Sequence, residues 1–239
     1  MPSARALPLP PLVSCVAAVL CAASLCLGAP RAAEAASIAA SDLPLGASAV
    51  DLGFAEVTGV GGLFVRETHA GFSSAGISGG YEGGEIDLDG EAIVFEFDEP
   101  QRVTSLVLGN LFVAGEHDDS ENERALVRVV FAAGLSADYV LAVTGSVTAS
   151  FSGSGTVSNL SPALFGSAGV FEITDPFGAA AVTSISLLPT GPVTPKDMRN
   201  NDYGFVSLRT EIVPEPGTIH LLSAGLVGLA LRARPRLRG

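Results

Sequence analysis

Along the middle of the chain, apolar residues alternate with polar ones at a period of two. In Ile93-Val94-Phe95-Glu96-Phe97, residues 93, 95 and 97 share one face. Thr104, Leu106 and Leu108 repeat the pattern, as do Val127, Val129 and Phe131, then Phe171 and Ile173, then the run Thr183–Leu187. Successive side chains of a strand point to opposite faces, so each run predicts a strand with one buried face. The runs are short, rich in β-branched or aromatic residues, and bounded by Gly, Pro, Asp or Asn. Asp98-Glu99-Pro100 predicts a turn between two strands. Gly71–Gly84 reads as a long surface loop, Ser146–Ser161 as a loop or an exposed edge hairpin, and Thr190–Asn201 as a loop before the last strand. Residues 36–213 carry no convincing amphipathic helix. Many short strands at regular spacing predict an all-β domain, a single antiparallel β-sandwich.

The two ends break this pattern. Arg5 is followed by a nearly continuous apolar stretch, Leu12–Ala29, and then by Ala33-Glu34-Ala35, with small residues at the −3 and −1 positions of a cleavage site. This is the layout of a secretory signal peptide over residues 1–35, cut near Ala35 or Ala36. Two other readings are an uncleaved membrane anchor and a lipoprotein signal, since Leu12-Val13-Ser14-Cys15 fits a lipobox. Little apolar sequence precedes that cysteine, and Pro8, Pro10 and Pro11 break what there is.

At the other end, Pro214-Glu215-Pro216 is followed by the apolar run Ile219–Leu231 and by Arg232, Arg234, Arg236 and Arg238. Two prolines around Glu215 block regular structure and keep the backbone extended, as a peptide-cleaving enzyme requires. The apolar run can enter a bilayer as a helix, and the arginines would hold its end in the cytoplasm, leaving the body on the far side. Residues 214–239 thus resemble the PEP-CTERM sorting tail of Gram-negative bacteria. That resemblance implies a temporary membrane anchor, exported through the Sec translocon. A membrane-embedded cysteine protease-transpeptidase, exosortase, would read Pro214, Glu215 and Pro216 and process the tail. Thr218–Leu231 has only 14 residues, about 21 Å of helix against a bilayer core of about 30 Å. The run therefore suits an address better than a lasting transmembrane helix, unless Arg232 and Arg234 snorkel. A buried amphipathic cap on the domain is the bland alternative, and four terminal arginines suit it poorly.

Charge and cysteine content narrow the function of the body. Residues 36–213 hold seven Lys and Arg against 23 Asp and Glu, a net charge of −16. Such a surface repels phosphate backbones, so no nucleic-acid partner is expected, and it attracts cations. Cys15, Cys21 and Cys26 all lie in the N-terminal apolar run. The mature chain is therefore expected to lack disulfides and thiolate metal sites.

Two acidic segments are the candidate chemistry. The first contains Glu82, Glu85, Asp87, Asp89 and Glu91; the second contains Glu116, Asp118, Asp119, Glu121 and Glu123. Ca²⁺ takes six to eight oxygen ligands in irregular geometry, so either could contribute to a structural Ca²⁺ site. Neither has EF-hand spacing, and a solvated acidic surface is the plainer reading. No G-x-S-x-G elbow is present. His69 and His117 are not spaced as metal ligands, and nothing singles out a pair of carboxylates for hydrolysis. The chain has no Trp, which excludes a Trp-stacking sugar platform. Of its tyrosines, Tyr81 lies in the Gly-rich segment and could stack on a sugar, while Tyr139 and Tyr203 read as structural.

Strand patterning in IVFEFDEPQRVTSLVL resembles adjacent strands of jelly-roll, galactose-binding-like domains, and the body is similar to the β-rich extracellular part of PEP-CTERM proteins. The expectation is an exported, exosortase-processed protein of the cell surface or biofilm matrix. Its body would be a non-catalytic module of structural or adhesive role, with structural Ca²⁺ as the one candidate cofactor. Exopolysaccharide binding is the alternative, and a secreted hydrolase a more distant one.

Overall fold

The computed structural model describes residues 35–79, 84–87, 90–116, 120–161, 169–190 and 202–213, all within the compact unit Ala33–Val213. Strands account for most of them: β1 (Ala35–Ala39), β2 (Ala49–Asp51), β3 (Ala55–Val60), β4 (Phe64–His69), β5 (Phe72–Ile77), β6 (Ala92–Leu111), β7 (Arg124–Phe131), β8 (Ser136–Gly145), β9 (Thr148–Phe151), β10 (Thr156–Asn159), β11 (Gly169–Thr174), β12 (Ala181–Pro189) and β13 (Gly204–Ile212). A 3-10 turn, Ala40–Asp42, follows β1, and there the Ala39 N–H donates to Asp42 Oδ2 at 2.7 Å. Among the described residues there is no α-helix, and no helix long and apolar enough to cross a membrane. Every strand pairing is antiparallel. The protein is thus all-β, as the period of two predicts. The signal helix and the apolar tail helix lie outside the described residues.

β6 organises the sheet. It has 20 residues and changes neighbours halfway. Over Ala92–Phe97 it pairs with β3, with β12 on its other edge at Ile93–Glu96 and again, past the bend, at Gln101 and Arg102. From Gln101 onward it pairs with β13, and over Ser105–Leu111 with β11 on the opposite edge. One arm therefore runs β2-β3-β6-β12-β7-β8-β9, and the other runs β4-β5-β13-β6-β11-β10 with β1 added to β13. The expected turn at Asp98-Glu99-Pro100 is instead the bend inside this one strand. The physical reason is local. Proline fits extended backbone where no ladder donor is needed, and residues 98–100 fall between the last β3 partner, at Phe97, and the first β13 partner, at Gln101. All three are exposed, and the Pro100 carbonyl accepts from the Val213 N–H at 3.3 Å.

The two arms pack their apolar faces on each other, an arrangement consistent with the expected sandwich. Phe95 of the first arm meets Phe205 of the second with ring centroids 4.9 Å apart. Ile93, Val127, Ile185 and Leu187 are buried from one side and Ile38, Ile77, Leu106 and Leu208 from the other, all in one cluster. Tyr203, just before β13, is fully buried. Its hydroxyl lies 3.0 Å from the Leu188 carbonyl and 3.4 Å from that of Leu126, so it fastens the second arm to β12 and β7 of the first.

Two further expectations meet a different outcome. Within Gly71–Gly84, Phe72–Ile77 forms β5, and its last four residues are buried. Ser146–Ser161 supplies two edge strands, β9 against β8 and β10 against β11, and so resolves toward the edge reading. Most of Thr190–Asn201 lies outside the described residues.

Candidate functional site

The segment 84–87 lies along the β4–β5 hairpin. The Ile77 N–H donates to Glu85 O at 2.9 Å and the Ile86 N–H to Tyr203 O at 2.8 Å, so the segment adds a bridge at Ile86 to the Tyr203 backbone. Such close approach needs glycine: a Cβ at Gly76 would collide with the Gly84 carbonyl, and one at Gly84 with the Glu67 side chain.

This placement brings four polar side chains together. Glu67 comes from β4, Glu85 from the crossing segment, Asn110 from the end of β6 and Asp202 from the residues entering β13. Asn110 has a φ of 58°, a left-handed conformation that asparagine tolerates better than most residues. Its Nδ2 donates to Glu85 Oε1 at 2.5 Å and to Glu67 Oε2 at 3.1 Å. Glu85, Asn110 and Asp202 are buried, at 8%, 3% and 4% exposure, whereas Glu67 is exposed and opens the group to solvent. Among the described residues no Lys, Arg or His forms an ion pair with these carboxylates. Arg66, beside Glu67 in sequence, instead donates to the carbonyls of Ala40 and Leu43 at 2.9 and 3.0 Å.

The electrostatic result falls on Glu85. Burial first, and then the charge of Asp202 and a hydrogen bond shared with it, push the Glu85 carboxyl up to about 9. Glu67 adds to the rise and the Asn110 amide opposes it. At neutral pH Glu85 therefore holds a proton, and its side chain hydrogen-bonds to Asp202. The Asn110 Oδ1 atom is buried and accepts no hydrogen bond.

The remaining sequence candidates are placed as follows. Glu91 is buried, and its two oxygens accept from the Gly79 N–H at 2.7 Å and the Asp87 N–H at 3.3 Å, tying down the start and middle of the β5–β6 connection. Asp87 is buried in that same connection. Glu116 is half-buried in the β6–β7 connection, and its N–H donates to Val113 O at 3.1 Å. Glu121 is half-buried in the same connection. Glu123 closes it, accepting from the Phe112 N–H at 2.5 Å while the Glu123 N–H donates to Phe112 O. Glu82, Asp89, Asp118, Asp119, His117 and Tyr81 lie outside the described residues, as do Pro214, Glu215, Pro216 and the four terminal arginines. Among the described residues, no group of three or more His, Cys, Asp or Glu is arranged to hold a metal ion.

Sequence reasoning selected Glu85 but not Glu67, Asn110 or Asp202. Asp202 in the run Asn200-Asn201-Asp202 was a polar residue immediately before an apolar strand, a weak signal, and Asn110 at the end of an apolar run was another. Only the pairing of β4, β5, β6 and β13 makes them neighbours.

Beyond the last described residue, the chain is defined by comparison. Residues 213–236 match the PEP-CTERM protein-sorting motif. The motif is that of an exported protein sorted by exosortase, with surface localisation as the outcome of sorting. The PEP-CTERM match begins where β13 ends, at Val213. No curated protein and no solved structure matches the chain.

Proposed function

We propose that this protein is a non-catalytic surface or matrix module. It is held briefly at the inner membrane by its PEP-CTERM tail, and is then processed and left at the cell surface or in the biofilm matrix. The PEP-CTERM motif at residues 213–236 carries this reading. A structural or adhesive role for the body is supported by its single well-packed core and by its acidity. The acidic residues also favour Ca²⁺ as a stabilising cation. Sugar binding is supported less well: among the described residues no exposed large hydrophobic side chain is aromatic, so none offers the stacking face that sugar platforms use.

The test is mass spectrometry of the C-terminus of the protein recovered from its own host. A tail shortened near Pro214-Glu215-Pro216 is expected. An intact chain ending at Gly239 would refute processing, and replacing the three motif residues by alanine should restore that intact end. Binding of the full chain on a glycan array would favour the exopolysaccharide alternative over a purely structural role.

A further inference from the structure

We infer that the β1–β13 ladder is a gate on N-terminal processing: the signal peptide is removed only while β1 is off β13, and docking of β1 closes the site. The inference rests on the reading of residues 1–35 as a signal peptide and adds an order of events to it.

Three observations converge on β1. First, both bonds at which the signal peptide is expected to leave, Ala35–Ala36 and Ala36–Ser37, lie inside this strand and not in a loop ahead of it. A peptidase takes its substrate as an extended segment, through main-chain hydrogen bonds and pockets for the side chains. In the folded chain those residues are already in a ladder: Ala35 is opposite Glu211, Ala36 opposite Thr210 and Ser37 opposite Arg209. Second, the strand is anchored just past the bonds. Ile38 is buried opposite Leu208, and Leu208 is opposite the buried Leu106 of β6. Ala40 and Leu43 are buried next, and Arg66 Nη2 donates to their carbonyls at 2.9 and 3.0 Å. Lifting residues 36–38 into an enzyme cleft therefore exposes Ile38 and breaks the ladder. Third, among the described residues β1 pairs with β13 alone. β13 is the last strand in sequence, and the sorting motif begins at its end.

This pairing of first strand with last sets the order. In a chain that crosses the membrane from its N-terminal side onward, β1 emerges well before β13. Until β13 follows, residues 35–39 have no strand to pair with and Ile38 has no Leu208 to pack on, so the bonds stay accessible. Once Gly204–Ile212 has crossed and paired with β6, β1 adds to its other edge and the bonds are withdrawn. Cleavage after that point requires β1 to open, and its rate follows the open population. The opening is local, because β1 lies at the edge of the sheet and supports no further strand.

The test is cleavage of the full-length chain in detergent by a purified bacterial signal peptidase, with mass spectrometry of the products. The chain is offered folded, and also unfolded by direct dilution from urea. The unfolded chain should be cut after Ala35 or Ala36, and the folded chain about tenfold more slowly or slower still. Ile38→Ala removes the anchor and should speed cleavage of the folded chain about tenfold. Ile185→Ala opens a comparable cavity in β12, away from β1, and should leave the rate within about twofold. If Ile38→Ala does not fold, the natural chain serves: its cleavage should accelerate in urea below the concentration at which near-UV circular dichroism reports global unfolding. Equal rates for folded and unfolded chain, or equal acceleration by the two isoleucine variants, would overturn the gate and leave the signal peptide standing. An unfolded chain cut at neither bond would overturn the signal-peptide reading and the gate with it.

Discussion

Replacing Glu85 by glutamine keeps the shape of the side chain and removes its charge, so it isolates the electrostatic cost of the carboxylate nest. In the natural protein the Glu85 carboxyl titrates at about 9 instead of 4.5, because it is buried beside Asp202. The direction is raised, so the stabilising effect of the proton is fully present below about pH 4.5 and is lost as pH rises through about 9. Each pH unit in that window weakens folding by about 1.4 kcal/mol. By pH 7, about two and a half units above the unfolded value, the accumulated loss is on the order of 3 kcal/mol. Glutamine needs no proton, can donate an N–H to Asp202, and keeps an oxygen for the Asn110 Nδ2. In EDTA, Glu85→Gln should therefore be more stable than the natural protein at pH 7, by roughly 1–3 kcal/mol. That corresponds to about 2–12 °C in Tm for a domain of this size.

The assay is differential scanning calorimetry of both full-length proteins from pH 5 to pH 9, in EDTA. All other acids are common to both proteins, so the difference in Tm reports on Glu85 and its coupling to Asp202. The two should converge near pH 5 and separate as pH rises. Parallel curves, or a variant less stable at pH 8, would refute the buried proton.

Other substitutions probe the scaffold. Tyr203→Phe removes a buried hydroxyl that reaches the carbonyls of Leu188 and Leu126. It should cost about 1–2 kcal/mol in denaturant unfolding, with the fold retained. Gly76→Ala drives a methyl group into the Gly84 backbone. It should cost about 2–4 kcal/mol, since the segment carrying Glu85 would be displaced. Arg128→Ala breaks an ion pair to Asp138 at 2.8 Å whose side chains are about half exposed; it should change stability by no more than about 1 kcal/mol. Guanidinium melts of these variants beside the natural protein would check all three.

The strands legible in the sequence were those with a strong period of two. Ile93–Phe97, Val127–Phe131, Phe171–Ile173 and Thr183–Leu187 all lie in strands, with Phe95, Val129, Ile173 and Ile185 buried. β5 was hidden because the small residues Ser73, Ser74, Ala75 and Gly76 separate Phe72 from Ile77 and leave no period of two. Such a strand is selected by the room it leaves for a crossing segment, which propensity does not register. The bend in β6 was read as a break because Asp, Glu and Pro together signal a turn; whether a chain turns or continues there depends on which neighbours lie alongside. The candidate site was half legible for a related reason. Acid-rich segments stand out in a sequence, but a site depends on which acids are buried together. Glu91 and Glu123 are buried as acceptors for backbone N–H groups, whereas Glu85 is buried against another acid.

The geometry of the chain ends bears on how the body tolerates processing at both of them. β1 lies antiparallel on β13, so Ala35 pairs with Glu211 and Ile38 with Leu208. The expected signal-cleavage point and the start of the PEP-CTERM motif thus leave the domain side by side. Cleavage after Ala35 or Ala36 keeps Ser37, Ile38 and Ala39 on the ladder, and Ile38 is the buried apolar anchor of that strand. At the other end, β13 ends at Ile212, and the Val213 N–H still reaches Pro100 O. A cut on the C-terminal side of Val213 removes no described residue and breaks no described hydrogen bond. The Pro-Glu-Pro sequence therefore follows the last strand almost without a spacer in sequence. Loss of β13 would expose Phe205 and Leu208, both buried in the core, so processing that spares residues up to Val213 leaves the core intact.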